Sequence, residues 1–237
     1  KVSAKAKRAY ETALLAYQEG DGIAMPTKPK GPELVCNQCK GSGLMLSSEP
    51  PVVFTDQYPK VAIIGAGIGG MTLAVACYHR GIPFTLFERD RTFNARSQGY
   101  GLTLQQASKA LKALGIQHLS AGIVSTKHIV HDPTGNVVGE WGMRTWLKDN
   151  DSFNSKKTNI HIARQGLRLA IYNQLGSDQN IKWGHQFLHY EKGSPNKLLL
   201  TFNHDGDVCQ EEFDLIVGAD GIRSNVRKSL IDDDKSP

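Results

Sequence analysis

VAIIGAGIGGMTLAVACYHRGIPFTLFERD, residues 61–90, decides the fold. Its first four residues, Val61–Ile64, are an apolar run of the length of a buried parallel strand. The run ends at Gly65, and glycines at 65, 67 and 70 spell G-x-G-x-x-G. A helical stretch follows from Met71 to Arg80, Gly81 stops it, and Pro83–Phe87 reads as a second apolar strand closed by the acid Glu88. Each part has a physical task. Gly65 permits the tight turn out of the strand, Gly67 lets a pyrophosphate approach the backbone, and Gly70 lets the helix pack against the strands. The helix N-terminus offers N–H groups and partial positive charge to phosphates, and Glu88 can accept a hydrogen bond from a ribose hydroxyl. A lone G-x-G-x-x-G is a weak signal; within strand, turn, helix, strand and acid it predicts a dinucleotide site. Two other readings compete. Val61–Tyr78 carries no charge and approaches the length of a membrane span, but its glycines and the strand close behind argue against that. The glycines could also serve packing alone.

At 237 residues the chain has room for one large domain or two small ones. A hydrophobic fraction of 40% and a charged fraction of 22% are those of a soluble globular protein. The net charge of +5 suits anionic cofactors or an anionic surface, and no long Lys/Arg block points to nucleic acid. Four cysteines are too few for a disulfide scaffold. The sequence begins at Lys1 without a signal peptide, so the expectation is a processed or truncated chain inside the cell. A chloroplast or mitochondrion, with the transit peptide removed, is left open.

Residues 1–57 read as an N-terminal extension distinct from the domain at 58–237. Ala6, Ala9, Tyr10, Ala13, Leu14 and Tyr17 recur at helical spacing behind the basic Lys1, Lys5, Lys7 and Arg8, and Gly20-Asp21-Gly22 ends that helix. Its apolar face is shallow, which fits a plain surface helix or one that docks on a protein partner or an anionic membrane surface. Pro26–Pro32 is a linker. Cys36-Asn37-Gln38-Cys39-Lys40-Gly41-Ser42-Gly43 is C-x-x-C-x-G-x-G, similar to one repeat of the zinc-binding region of DnaJ-type chaperones. Cys36 and Cys39 can hold one edge of a tetrahedral zinc, but a closed site takes four ligands and the sequence has no second pair. A complete zinc site is therefore not expected.

Further along, Gln105–Leu114 reads as a helix stopped by Gly115. Ile123–Trp141 reads as a β-hairpin about Asp132-Pro133-Thr134-Gly135-Asn136, and 141–157 as an exposed loop. Ile160–Arg164 leads into a helix over Gly166–Leu175. Strands are predicted at Ile181–Trp183, Leu198–Asn203 and Phe213–Val217, with Cys209 in a strand beyond the turn His204–Asp207. The last strand runs into Gly218-Ala219-Asp220-Gly221 and a helix, so Asp220 and Gly221 can approach the same cofactor from a neighbouring strand.

GAGIGG with FERD, followed by DLIVGADGIRSNVR, resembles the class A flavoprotein monooxygenases, the para-hydroxybenzoate hydroxylase-like family that includes zeaxanthin epoxidases and kynurenine monooxygenases. Between these motifs, Gly99-Tyr100-Gly101-Leu102 looks like the family's segment near the flavin ring, and Ile162–Leu167 like its Arg-x-x-Leu segment. The resemblance covers about residues 58–230. It implies an α/β fold: a Rossmann-like FAD-binding domain with a parallel sheet, a βαβ unit and a β-hairpin excursion. It also implies FAD, NAD(P)H as reductant, O2, and hydroxylation or epoxidation of an aromatic or isoprenoid-type small-molecule substrate. On the resemblance, Gly65, Gly67 and Gly70, with Ile68 and Gly69 between them, cradle the pyrophosphate. Glu88, followed by Arg89, holds the adenosine end, and Arg164, Asp220 and Gly221 contact FAD further along. In the plainer readings Arg164 only pairs with a carboxylate and Asp220 only caps the next helix. The family's third flavin motif, a Gly-Asp segment, and most of its substrate-binding sheet lie beyond the point where this sequence stops. The expectation is a domain incomplete at its C-terminus, in a fragment or in a protein that has given up its second half. No catalytic residue is assigned, and the segment alone is expected to be inactive. A non-catalytic FAD-fold subunit or assembly factor of a larger, organellar membrane complex is the alternative. An NAD-dependent dehydrogenase is a third reading, against which the DG segment argues.

Overall fold

A computed structural model of the chain describes residues 2–20, 24–30, 36–39, 41–95, 99–104, 107–125, 127–141, 159–176 and 180–231. The chain divides into two compact units, Lys1–Gly43 and Leu44–Pro237.

The first unit holds one helix, α1, Ala4–Gln18. Ser3 caps it by accepting from the Ala6 N–H at 3.2 Å, and Gly20 leaves it with φ +89°. None of its residues is buried. Asp21 and Gly22, the rest of the predicted stop, lie outside the described residues, as does the end of the linker. Around Cys36 and Cys39 the chain turns, with the Cys39 carbonyl accepting from the Ser42 N–H at 2.9 Å and from its hydroxyl at 2.6 Å.

The second unit is built on a four-stranded parallel sheet in the order β12-β1-β2-β8: Leu215–Gly218, Val61–Ile64, Phe84–Glu88 and Ile181–Trp183. All four residues of β1 are buried, because the sheet is covered on both faces. Alternate side chains take opposite sides. Ile63 and Leu86 enter a core with the helices α2 (Ile68–Tyr78) and α4 (Arg164–Tyr172) and the strand β7 (Asn159–Ala163). Ala62, Ile64 and Phe87 enter a second core with Leu200, Phe202 and Phe213. There Phe87 stacks on Phe202 at 4.1 Å between ring centroids and meets Phe213 edge-on at 5.7 Å. The Rossmann-like architecture expected from the sequence is present.

Several boundaries differ from those predicted. Helix α2 begins at Ile68, not Met71, and ends at Tyr78, not Arg80. A first turn needs no intrahelical N–H partners, so the glycines there do not delay it; Gly81, at φ +65°, closes the exit. Strand β2 starts one residue late because Pro83 has no N–H to give; its carbonyl accepts from Val61 at 2.9 Å. Helix α3, Ala107–Ala113, lies within the predicted span, whose first residues are outside the described ones, and Gly115 at φ +83° follows it. Helix α4 begins at Arg164 and runs into a 3-10 turn, Asn173–Leu175.

The predicted hairpin is split. Strand β4, Ile123–Ser125, pairs with β7, which also pairs with β3, Gly101–Leu104. β7 brings a buried face, Ile160 and Ile162, which a two-stranded ribbon lacks. The hairpin proper is β5, His128–His131, with β6, Val137–Trp141. The predicted loop after Trp141 lies outside the described residues. Three antiparallel strands, β9 (His185–Lys192), β10 (Leu198–His204) and β11 (Asp207–Phe213), form a separate sheet. Strand β9 is not among the predicted strands: Phe187 and Leu188 are adjacent, so its residues show no alternation in the sequence. The predicted strand Phe213–Val217 is two elements, because Asp214 interrupts it. The Asp214 carboxylate accepts from the Lys60 N–H at 2.7 Å and from Lys197 Nζ at 2.6 Å. Among the described residues no helix is long and apolar enough to cross a membrane.

The β5–β6 turn is held by one carboxylate. Asp132 Oδ1 accepts from the Thr134 hydroxyl at 2.7 Å and from the Thr134 and Asn136 N–H groups at 2.9 Å. These bonds favour the ionised form and lower the Asp132 pKa from 3.8 to about 2, the Thr134 hydroxyl contributing most. A depressed carboxyl stabilises the fold fully above its unfolded value and loses that contribution as pH falls through the folded one. The turn should therefore hold down to about pH 4 and loosen between about 4 and 2. An NMR titration should place the Asp132 midpoint near 2; a midpoint near 4 would show the carboxylate to be unengaged.

Candidate dinucleotide cleft

β1 leads to β2 on one side and is flanked by β12 on the other, so the strand order changes sides at β1. In an open α/β sheet the crevice beyond the carboxyl ends at such a point is where ligands bind. A cleft of about 210 Å³ lies there. Gly65, Gly67, Glu88, Arg89, Arg164, Asp220 and Gly221, all singled out from the sequence, line it. Ile68, Gly69 and Gly70 do not; they form the first turn of α2 behind the wall.

The turn out of β1 is fixed from several sides. Gly65 has φ +102°, and its N–H donates to the Phe87 carbonyl at 2.8 Å. A Cβ on Gly65 would come within 2.6 Å of the Ala219 carbonyl oxygen, and one on Gly70 would land in the Gly65 carbonyl. Both glycines are needed for internal packing. Gly67 is different. It is the N-cap of α2 in an extended conformation with no side chain to cap the helix, and the nearest atom to its missing Cβ is Arg164 Nη2 at 3.7 Å. Space and helix N–H groups are left together at that point, which is what a phosphate requires.

Glu88 Oε2 accepts from the Ala66 N–H at 2.7 Å and Oε1 from the Asp90 N–H at 3.1 Å. Each oxygen keeps a lone pair for a hydroxyl of a bound ribose. Asp220 does cap the chain beyond it: its carboxylate accepts from Ser224 Oγ at 2.6 Å and the Asn225 N–H at 2.7 Å, at the start of α5, Asn225–Leu230. It lines the cleft as well. Arg164 donates its backbone N–H to Tyr100 at 3.0 Å, and its guanidinium lies 5.6 Å from the Tyr100 ring centre.

The cleft walls also include Arg168 and His185, which the sequence did not single out, and Gln165, which directly follows Arg164. Arg168 is buried, with Nε 2.7 Å from the Ala66 carbonyl and Nη1 2.9 Å from the Phe93 carbonyl. Burial lowers its pKa, Glu88 raises it, Arg164 lowers it and Asp90 raises it. Its position four residues after Arg164 in a helix was the available signal, since such residues share a face. Gln165 gives its amide N–H to the Phe93 carbonyl at 3.1 Å, while its Oε1 is buried with no partner. An unsatisfied acceptor on a cleft wall fits a site shaped for a polar ligand. The His185 imidazole stacks on that of His204, 4.2 Å between centroids, at the far edge.

Residues 58–232 match the FAD binding domain family. The chain belongs to this family, that of the class A flavoprotein monooxygenases. Its cofactor is FAD, and the glycine cradle, helix N-terminus and acid fit that dinucleotide. The FAD-dependent monooxygenase thnD of Trichoderma harzianum is 29% identical over 181 residues, 72% of this chain and 40% of that protein. The chloroplastic zeaxanthin epoxidase of Oryza sativa subsp. japonica is 31% identical over 179 residues, 73% of this chain and 26% of that one. The structure of 2,6-dihydroxypyridine-3-hydroxylase from Arthrobacter nicotinovorans shares the fold, with a TM-score of 0.58 at 21% identity over 74% of this chain and 40% of that one. The chain thus spans less than half the length of these relatives. Cys36 and Cys39 lie outside the matched residues. Among the described residues no group of three or more His, Cys, Asp or Glu is placed to hold a metal ion.

Gly70→Ala should destabilise the fold by about 1–3 kcal/mol, because the added methyl must displace the Gly65 carbonyl. Urea unfolding measures it; a change within about 0.5 kcal/mol, the range of neutral surface substitutions, would mean that the turn yields freely.

Proposed function

We infer that this chain is the FAD-holding part of a monooxygenase that uses NAD(P)H and O2 to hydroxylate or epoxidise an aromatic or isoprenoid-type small molecule. The observation that carries the reading is the meeting of the Gly65–Gly67 turn, Glu88 and the Asp220-Gly221 segment around one cleft at the switch point of the sheet. When bound, the flavin supplies the redox chemistry and the transfer of one oxygen atom. The chain's own residues bind and orient it. Gly67 and the first turn of α2 receive the pyrophosphate, Glu88 takes the adenosine ribose with Arg89 beside it, and Arg164, Asp220 and Gly221 border the remainder. The monooxygenase names of the relatives support the activity. The domain that does this is residues 58–237. Residues 1–57 form an extension whose basic helix α1, with Leu15 and Tyr17 exposed, suits an anionic membrane surface or a protein partner.

Gly67→Val tests the cofactor site. Valine tolerates the extended backbone there and its side chain enters the cleft, so the variant should stay folded, at a cost of about 1 kcal/mol for the poorer N-cap, and lose FAD binding, read by flavin fluorescence. A wild-type protein that stays colourless with excess FAD would sink the reading. The activity is tested on the longest natural form of the protein with NADPH and a panel of phenols and carotenoids. Oxygenated product coupled to NADPH use supports it; full flavin occupancy without product from any of them counts against it. For the extension, co-flotation with phosphatidylserine vesicles, lost on deletion of residues 1–20, is the expected result, and flotation unaffected by the deletion would refute the membrane role.

A further inference from the structure

The Ala66 residue is held at both of its backbone groups. Its N–H donates to Glu88 Oε2 at 2.7 Å, and its carbonyl accepts from Arg168 Nε at 2.7 Å. Arg168 reaches it from α4, far along the chain, and gives a second N–H to the Phe93 carbonyl at 2.9 Å. Its guanidinium carbon lies 4.5 Å from the Phe93 ring centre and 5.7 Å from that of Trp183, so the group is fixed in a slot. Two carbonyls on different segments are thus met by two donors of one rigid plane, which neither a lysine ammonium nor a glutamine amide reproduces.

The Ala66–Gly67 peptide is planar and trans, so the Ala66 carbonyl and the Gly67 N–H point in opposite directions. With the carbonyl bound to Arg168, the Gly67 N–H is turned the other way, to join the unpaired N–H groups at the start of α2. We propose that Arg168 is a positioning residue for the phosphate-binding turn: it fixes the Ala66 peptide so that the Gly67 N–H faces the pyrophosphate. The role rests on the reading of the cleft as a dinucleotide site. Glu88 completes it from the opposite side, so one carboxylate serves both the ribose and the turn.

The test compares ligands with and without phosphates. Arg168→Gln and Arg168→Lys should weaken ADP and FAD about tenfold, the worth of one well-aimed charge-assisted hydrogen bond. They should leave the weak binding of adenosine unchanged, because adenosine does not use the turn. The loss should be the same at low and high salt. Equal weakening of ADP and adenosine would mean general damage to the cleft and overturn the proposal. A loss that shrinks with salt would assign Arg168 a direct charge contact with the phosphates, and would overturn it as well. Should neither variant fold, amide exchange on the wild type decides. Ala66 N–H should be protected with or without ADP, and Gly67 N–H only with it. Protection of Gly67 in the free protein would refute the proposal. A wild type that binds adenosine but not ADP removes the pyrophosphate site itself, while ADP binding without any Arg168 effect leaves that site standing and removes only the role of Arg168.

Discussion

Between the Gly65 carbonyl and the α-carbon of Gly70 there is no room for a methyl group. That contact sets how closely α2 lies on the sheet, and much else depends on it. With the helix at that distance, Met71, Ala74 and Val75 are fully buried. Its N-terminus then opens over the ends of β1 and β12. A bulkier residue would lift the helix, loosen the core beneath and move the N–H groups away from the cleft together. Binding and stability therefore share one steric condition at Gly70, whereas Gly67 is free of it.

The cleft is polar and of mixed charge. Arg89, Arg164, Arg168 and Arg223 line it with Glu88, Asp90 and Asp220. Two of the acids are engaged by backbone or hydroxyl donors, Glu88 by the Ala66 and Asp90 N–H groups and Asp220 by the Ser224 hydroxyl and the Asn225 N–H. A carboxylate bonded in this way stays in place and presents its remaining lone pairs in fixed directions. Such preorganisation lowers the ordering cost of binding.

The parallel sheet and the main cleft residues were legible in the sequence because their signals are local. A four-residue apolar run, glycines at fixed offsets and a closing acid need no knowledge of the rest of the chain. The DG segment was legible for the same reason. Arg168 was not, since an arginine in a helix is ordinarily solvated, and only the approach of the Ala66 and Phe93 carbonyls from distant segments makes it a buried donor. Strand β9 escaped because it buries a single residue, Phe187, and takes its order from pairing with β10. The partner of β4 was likewise a choice between distant strands, which the turn at Asp132 could not reveal. Gly70 shows the opposite limit: its spacing suggested close packing, and only the geometry showed the clash to be with the turn's own carbonyl.

The pairing of β1 with β12 joins residues 61–64 to residues 215–218. The central strand thus receives one neighbour, β2, soon after it is made and must wait for the other until nearly all of the second unit has left the ribosome. Closing so long a loop is entropically costly, and contacts of this kind form late. The half of the cleft contributed by β12 and the Asp220 turn is therefore absent from the nascent chain, which carries its glycine turn without the opposite wall. Cofactor capture then waits for β12 and the Asp220 turn, and a chain interrupted anywhere in β9–β11 would display the nucleotide motif with no site to show for it.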